Sequence, residues 1–588
     1  MNRKTRIKIE KGKMTRRIAI LLSMCLLLSV LAGCGKKKDE KSTTEAELQS
    51  ETQSDTQAET EVAEGSNGDA LSNRESKEGK SSTDSKVGDS DNNSNKSSAS
   101  KQIANSNMKF EPGKGTINNA TYVMIYNPLV YDELNASVAT KTSLNSGKLG
   151  SQVVTGIKRA DNLAEANYPV MVTPRDVSQG IENIEIQEVN DKAGTVYQQY
   201  LGDTISVYAF DDQLRTRQKK TFTCIYVGKE CYVYDLDGTV SAKDAEMIGK
   251  EFDDKIFPAD TNEFGKGRFT EGDGKVYILM QPMADGLCGF FSYFDNFAYG
   301  EVDTATIEAN GINTDRAIIN INSRYLAAKP DMVKSTLAHE YQHLISSSDS
   351  FEKGTYQTFR TWYDETMSAH AEEMVYPGLK KKEGFDQYMF ISENYIHGQS
   401  LFNFDTTNDA NIGAYGAVYL FSLYLDKIGK PYGSTHTLWR MLKQDTPPID
   451  ECLTDAFKST PTIITYDSSG KETSNNTGSE NYAKILDSKY VYPDSIKKKF
   501  SSDSEMMMSK LALDFYLDSL KIDFGDITND IHAYMLYDSV NACKIEGGGR
   551  IIVALSGDSF TIPADADDSL IYIGLDSDFN PVTGLITK

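Results

Sequence analysis

The chain has 588 residues, and 85 acidic against 62 basic side chains leave it a formal charge of −23. That balance excludes capture of nucleic acid or of anionic lipid through surface charge. Hydrophobic residues make up 39% of the sequence, enough for folded cores, and the length calls for more than one domain.

The N-terminus reads as an export signal. Arg16 and Arg17 precede an apolar run over residues 18–31, which closes on Leu31-Ala32-Gly33-Cys34. Basic residues, a short apolar stretch and small residues in that order make a bacterial secretory signal. Leu-Ala-Gly-Cys resembles a lipobox, which implies removal of residues 1–33 and acylation of Cys34. Two or more acyl chains hold a protein at a membrane stably where one is marginal. A spanning helix is the weaker reading, because the run is shorter than the ~20 residues a span needs.

Residues 34–108 carry the acylated cysteine and then little besides Ser, Thr, Lys, Glu, Asp, Asn and Gln. Such a segment cannot bury enough surface to offset the entropy of ordering, so a disordered tether is expected. As a flexible coil it would reach on the order of 50 Å. Gly35-Lys36-Lys37-Lys38 follows Cys34 with no aspartate directly after it, which resembles the start of a Gram-positive surface lipoprotein. A periplasmic position is the alternative.

Residues 109–241 are expected to form a β-rich N-terminal domain, either a prodomain or an accessory domain. Ala120-Thr121-Tyr122-Val123-Met124-Ile125-Tyr126, Thr204-Ile205-Ser206-Val207-Tyr208-Ala209-Phe210 and Thr223-Cys224-Ile225-Tyr226-Val227 are rich in β-branched and aromatic residues at strand length. Beyond the signal stand Cys34, Cys224, Cys231, Cys288, Cys452 and Cys543. With Cys34 acylated, at least one of the rest is unpaired within the chain. Cys224 and Cys231 face each other across a hairpin centred on Val227-Gly228 and miss each other with a turn at Gly228-Lys229.

Residues 242–450 alternate short strands with longer helices and contain His339-Glu340-Tyr341-Gln342-His343. On a helix, residues four apart lie one above the other, so His339 and His343 present two imidazole nitrogens to a single ion. Glu340 falls on the flank of that pair, where a general base can reach water without being a ligand. Pro330 suits the first position of the helix, Asp331 adds favourable negative charge, and Val333, Leu337, Tyr341 and Leu344 form an apolar stripe. Catalytic zinc takes three protein ligands, so a third is required. Asp349 stands where the pattern HxxGxxH ends, but Ser346 replaces the glycine that turns that chain. Glu365 opens a second segment, Trp362-Tyr363-Asp364-Glu365-Thr366-Met367-Ser368-Ala369-His370-Ala371-Glu372-Glu373, free of Gly and Pro and able to form a helix. Glu372, seven residues on, shares the face of Glu365 and is placed either to orient a histidine ligand or to sit solvated. His370, His397, His436 and His532 carry no motif and read as core or surface residues.

These two segments resemble the HExxH and W-x-N-E helices of gluzincin metallopeptidases, and Met367-Ser368-x-x-Ala371-Glu372 is most similar to the hyicolysin family of secreted bacterial peptidases. Asp364 departs from the usual Asn. The similarity runs from about Gly289-Phe290-Phe291-Ser292-Tyr293-Phe294-Asp295 to about Gly433 and is specific at HExxH and Trp-x-x-Glu. The resemblance implies Glu365 as the third zinc ligand, peptide-bond hydrolysis with Glu340 as general base, and an oxyanion donor for which Tyr415 is the candidate. Packing is the competing role for Tyr415, Tyr419 and Tyr424. Gluzincin aminopeptidases carry a Gly-x-Met-Glu-Asn strand before the metal helix; here the segment is Arg316-Ala317-Ile318-Ile319-Asn320-Ile321-Asn322, which favours an endopeptidase. An exposed edge on that strand would bind extended peptide by strand addition.

Residues 451–588 are expected to form a β-rich C-terminal domain ending in Ile551-Ile552-Val553-Ala554-Leu555 and Leu570-Ile571-Tyr572-Ile573. Asp235-x-Asp237-Gly238 and Asp576-x-Asp578-x-Asn580 echo fragments of Ca2+ loops without the twelve-residue spacing, so acidic turns are the expected reading. The sum is a multi-domain α+β chain with a gluzincin-like core, two ligand helices under a small sheet. It would be a lipid-anchored extracellular zinc endopeptidase acting on proteins or peptides, with no nucleic-acid partner. The alternatives are an aminopeptidase and a surface adhesion lipoprotein on a metalloprotease scaffold, and the second of these has no use for Glu340.

Overall fold

Strand-forming runs from residues 204–235 join later ones in a single six-stranded sheet. Its members are β1 (Thr204–Asp211), β2 (Thr216–Val227), β3 (Cys231–Asp235), β4 (Val276–Gln281), β5 (Gly289–Phe290) and β6 (Ala317–Asn322), in the order β1-β2-β3-β4-β6-β5. The β3, β4 and β6 strands are parallel, and the remaining pairings are antiparallel. The structure is a computed structural model and describes residues 115–130, 142–144, 149–159, 163, 198–211, 216–268, 273–352, 361–404, 412–429, 439, 463–466, 472–475, 482–538 and 543–588. The signal, Cys34, the tether, Cys452 and His436 lie outside them.

Alternation along the strands divides the sheet into two apolar faces. Cys224, Tyr232, Tyr234, Tyr277, Leu279 and Ile318 pack on one face, and Cys231, Val233, Ile278, Met280, Ile319 and Ile321 join the main core on the other. A bulge between Cys224 and Tyr226 sets Cys224 opposite Tyr234. Cys224 and Cys231 therefore point to opposite faces, and both are free thiols.

The main core is covered by helices. A helix-forming run gives α1 (Ala242–Glu251), capped by the Ser241 hydroxyl, which accepts the N–H of Asp244. It continues through a π turn, Phe252–Ile256, into α2 (Phe257–Phe264). Phe252 and Phe257 pack on Tyr341 at ring distances of 5.1 and 5.6 Å. Tyr341 belongs to α3 (Pro330–Glu352), which starts at the expected proline and buries Val333, Leu337, Tyr341 and Leu344 completely. Next come α4 (Thr361–Val375), α5 (Phe385–Ile391) and the apolar α6 (Ile412–Gly429). Gly416 lets α6 approach α5 closely, since a Cβ there would lie 2.8 Å from Met389 N and 2.9 Å from Phe385 O. Among the described residues no helix is long and apolar enough to cross a membrane.

The chain ends are more interwoven than separate terminal domains would be. Tyr122–Tyr126 is the central strand of a three-stranded antiparallel sheet, flanked by Arg550–Ala554 and Ile571–Leu575. The stretch after residue 481 is not mainly β: α7 (Asp503–Ser519) is buried along most of its length. Asp514 on α7 accepts hydrogen bonds from the hydroxyls of Tyr424, Tyr482 and Tyr490 at 2.6, 2.7 and 2.6 Å. Residues Ser97–Lys588 cluster as one compact unit, and these pairings cross both expected boundaries, at 241/242 and 450/451.

The strand expected to offer a peptide-binding edge is covered by a further strand at Asn320 and Ile321. The β6 strand lies between β4 and β5, and Phe290 pairs with its Asn320. Gly289 allows this closure, because a Cβ there would meet Asn320 O at 2.9 Å and Thr336 Cγ2 at 2.7 Å. Beside Asn320 and Ile321 the edge on this side passes to the two-residue β5.

Candidate metal centre

Helical periodicity sets His339 and His343 one turn apart on α3, with rings 4.7 Å apart and 77° between their planes. Their Nε2 atoms are separated by 3.1 Å. On α4, Trp362 is buried against Phe402 at 4.9 Å and anchors the start of the helix that carries Glu365. Glu365 Oε2 lies 3.1 Å from His339 Nε2 and 3.9 Å from His343 Nε2. One donor atom from each residue thus lies within 4.8 Å of the others, and all three side chains are buried.

The arrangement fits a shared cation better than mutual hydrogen bonds. Glu365 Oε2 is close to His339 Nε2 yet has no correctly directed hydrogen bond. Tetrahedral zinc with ligands at ~2.0–2.1 Å holds donor atoms about 3.3 Å apart, a value bracketed by the observed separations. Two imidazoles and one carboxylate are the donor set of a catalytic zinc site with a position left open. The helix α3 runs unbroken through Ser346 to Glu352, so Asp349 is carried along the axis away from this point instead of turning back to it.

Each imidazole meets a carboxylate at its other nitrogen. His339 Nδ1 is 2.9 Å from Glu372 Oε1, and His343 Nδ1 is 3.0 Å from Asp364 Oδ2. Such partners fix the tautomer and the ring orientation of a ligand. Glu372 also accepts from the Ser335 hydroxyl and lies 2.8 Å from Lys380 Nζ. Tyr293, from the aromatic segment upstream of α3, donates to Asp364 at 3.4 Å. Ser368 donates to Gln342 at 2.6 Å and stands 3.1 Å from His343 Nδ1.

Charge in this site follows burial. Burial opposes the imidazolium form of His339, but Glu365 and Glu372 outweigh it and raise the pKa to about 10. Burial likewise opposes charge on His343, and Asp364 reverses the effect, so this pKa is also raised. Glu340 is buried, and among the described residues neither of its carboxylate oxygens has a hydrogen-bond partner. Burial pushes its pKa up to about 7, against the pull of His339 and His343. Cys288 lies under the same helix, but burial pushes its thiol up to about 12, which makes it a neutral packing group.

Tyr415 is buried on α6 with its ring edge-on to Phe404 at 5.0 Å, a packing contact. Tyr419 donates to Glu373 at 3.0 Å. His370 is a core residue in an acidic setting, stacked on Trp439 at 4.1 Å with Glu263 and Asp426 at 3.4 and 3.3 Å. His397 is exposed, and His532 packs on Phe579. In the loop at residues 576–580, Asp576 Oδ1 accepts the N–H groups of Asp578 and Asn580. Lys521 Nζ takes the Asp578 carbonyl and Asn580 Oδ1 at 3.0 and 2.8 Å. Asp576 Oδ1, the Asp578 carbonyl and Asn580 Oδ1 are therefore engaged by N–H donors and an ammonium, which lends calcium no support there. At the other fragment Asp237 is turned onto Thr239 while Asp235 is buried at the end of β3.

Sequence reasoning missed Asp364, Tyr293, Ser335, Ser368 and Lys380. Only Asp364 carried a signal, since a carboxylate one residue before the ligand glutamate lies within reach of the same histidine pair.

No family model matches the chain. Over 212 residues it is 29% identical to the neutral metalloprotease ShpI of Staphylococcus hyicus, a stretch that covers 34% of this chain and 46% of that protein. The chain thus spans just under half the length of that relative.

Proposed function

We propose that this chain is a zinc metalloendopeptidase, anchored by lipid on Cys34 and acting on proteins or peptides outside the cell. The observation that carries the reading is the convergence of His339, His343 and Glu365 beside the carboxylate of Glu340, which has no hydrogen-bond partner among the described residues. The similarity to a metalloprotease supports it independently. His339, His343 and Glu365 would hold a zinc ion, which would supply Lewis acidity toward water and a carbonyl oxygen. Glu340 takes the proton from the attacking water and returns it to the leaving amine; burial raises its pKa in the metal-free site, and a bound cation would lower it again. Glu372 and Asp364 hold the two imidazoles in the orientation that leaves each Nε2 free for the cation. Tyr415 is the proposed oxyanion donor, on the resemblance alone.

The endopeptidase reading is supported by β6, where Asn320 accepts a hydrogen bond from Gln281 at 3.2 Å and Asn322 holds the loop before β5 through Leu287 O at 2.6 Å. Neither offers a carboxylate to a substrate's free amine. The anchor is supported by Leu31-Ala32-Gly33-Cys34, and the tether behind it would carry the folded part clear of the lipid. The test is hydrolysis of matched peptides with free and acetylated amino termini. Equal cleavage at internal bonds is expected; cleavage confined to free amino termini means an aminopeptidase, and no cleavage of a broad peptide library favours a binding scaffold.

A further inference from the structure

Lys380 lies on the short helix Leu379–Lys382 between α4 and α5 and is 3% exposed. A lysine ammonium is rarely buried without a partner. Its Nζ is 2.8 Å from Glu372 Oε2 and sits 4.1 Å above the ring centre of Phe385. Glu372 spends its other oxygen, Oε1, on His339 Nδ1 at 2.9 Å, while Ser335 shares Oε2. The carboxylate is thus gripped at both ends, with a histidine of the metal centre on one side and a fixed cation on the other.

We infer that Lys380 is a positioning residue of the metal centre: its buried ammonium locks Glu372, and through Glu372 it fixes the His339 ring with Nε2 facing Glu365 and His343. The inference rests on the zinc reading above. Ser335 ties Glu372 only to α3, the helix that carries His339. Lys380 comes from a different element and ties that element to the ligand pair. It also balances one negative charge in a site where Glu340, Glu365 and Asp364 have no lysine or arginine contact among the described residues.

The experiment measures zinc affinity by competition with a chromophoric chelator, using the full chain. Lys380→Met keeps the apolar stem against Phe385 and removes the ammonium; the expected loss is about tenfold to a hundredfold. Lys380→Arg should stay within a few-fold of the parent. In a Glu372→Gln background Lys380→Met should cost almost nothing more, since the pair acts as one unit. Wild-type affinity in Lys380→Met, or the same loss with and without Glu372, overturns the inference. A lysine that merely staples the connector would lower the unfolding temperature of the metal-free protein and leave zinc affinity in place. Should Lys380→Met fail to fold, Lys380→Gln carries the same expectation and the same refutation. If the parent itself takes up no zinc, the zinc reading falls and this inference with it, whereas tight binding by parent and variant alike refutes only the role of Lys380.

Discussion

Zinc uptake should release protons, by an amount the geometry sets. In the metal-free site His339 has Glu365 Oε2 at 3.1 Å on one nitrogen and Glu372 Oε1 at 2.9 Å on the other. Burial works against a charged ring, yet the two carboxylates lift its pKa to about 10. Near pH 7 the ring is therefore protonated, and zinc must displace that proton before Nε2 becomes a ligand. Three pH units correspond to about 4 kcal/mol, or a thousandfold in apparent affinity relative to pH 10. His343 is shifted upward as well, by Asp364 against burial, so the release is at least about one proton. The sign follows: apparent affinity rises at least tenfold per pH unit from about pH 7 to 9 and is weakest in acid. Titration calorimetry in two buffers of different ionisation enthalpy counts the protons, and chelator competition at several pH values gives the slope. Flat affinity from pH 7 to 8.5 with no proton released would refute the reasoning.

Asp364→Ala removes the carboxylate partner of His343 Nδ1 and leaves Ser368 at 3.1 Å, and zinc affinity should fall about tenfold to a hundredfold; an unchanged value in the chelator assay means that the 3.0 Å contact does not orient the ligand. Trp362→Ala empties the buried site against Phe402 and Phe421. A loss of about 3–5 kcal/mol is expected in urea unfolding, and under 1 kcal/mol would show that α4 is anchored elsewhere. Glu340 must be ionised to accept a proton, so kcat/KM should fall as pH drops through an acid limb at or below about 7, bound cation pulling the limb downward. A profile level to pH 4 would exclude Glu340 as the base.

The parts of the centre that were legible in the sequence rest on short-range geometry. His339, Glu340 and His343 share one helix, and four-residue spacing decides which side chains meet. Glu365 needed a second helix, which the absence of Gly and Pro after Trp362 made visible. Its approach to α3 is a tertiary contact, and so is every partner of the ligands. Glu372 was found because it shares a face with Glu365; Lys380 was not, because its partner lies across a turn and its neighbours in sequence, Lys381 and Lys382, look like solvated charge. The sheet misled for the same kind of reason. Ile318-Ile319-Asn320-Ile321 reads as a strand on its own, but only the pairing of Gly289 with Ile321 and of Phe290 with Asn320 shows that its edge is covered at those two residues. At the ends of the chain, Tyr122–Tyr126 sits between Arg550–Ala554 and Ile571–Leu575, a pairing across more than 400 residues that no local pattern encodes. The Cys224 and Cys231 thiols were separated by one bulge, which decides the face each residue takes.

The central claim is tested most directly by zinc content and casein hydrolysis measured together on the full chain and its Glu340→Gln variant. One zinc per chain in both proteins, with hydrolysis reduced at least about a hundredfold in the variant, is the predicted result. A parent without zinc, or a variant that cleaves casein as fast as the parent, would contradict it.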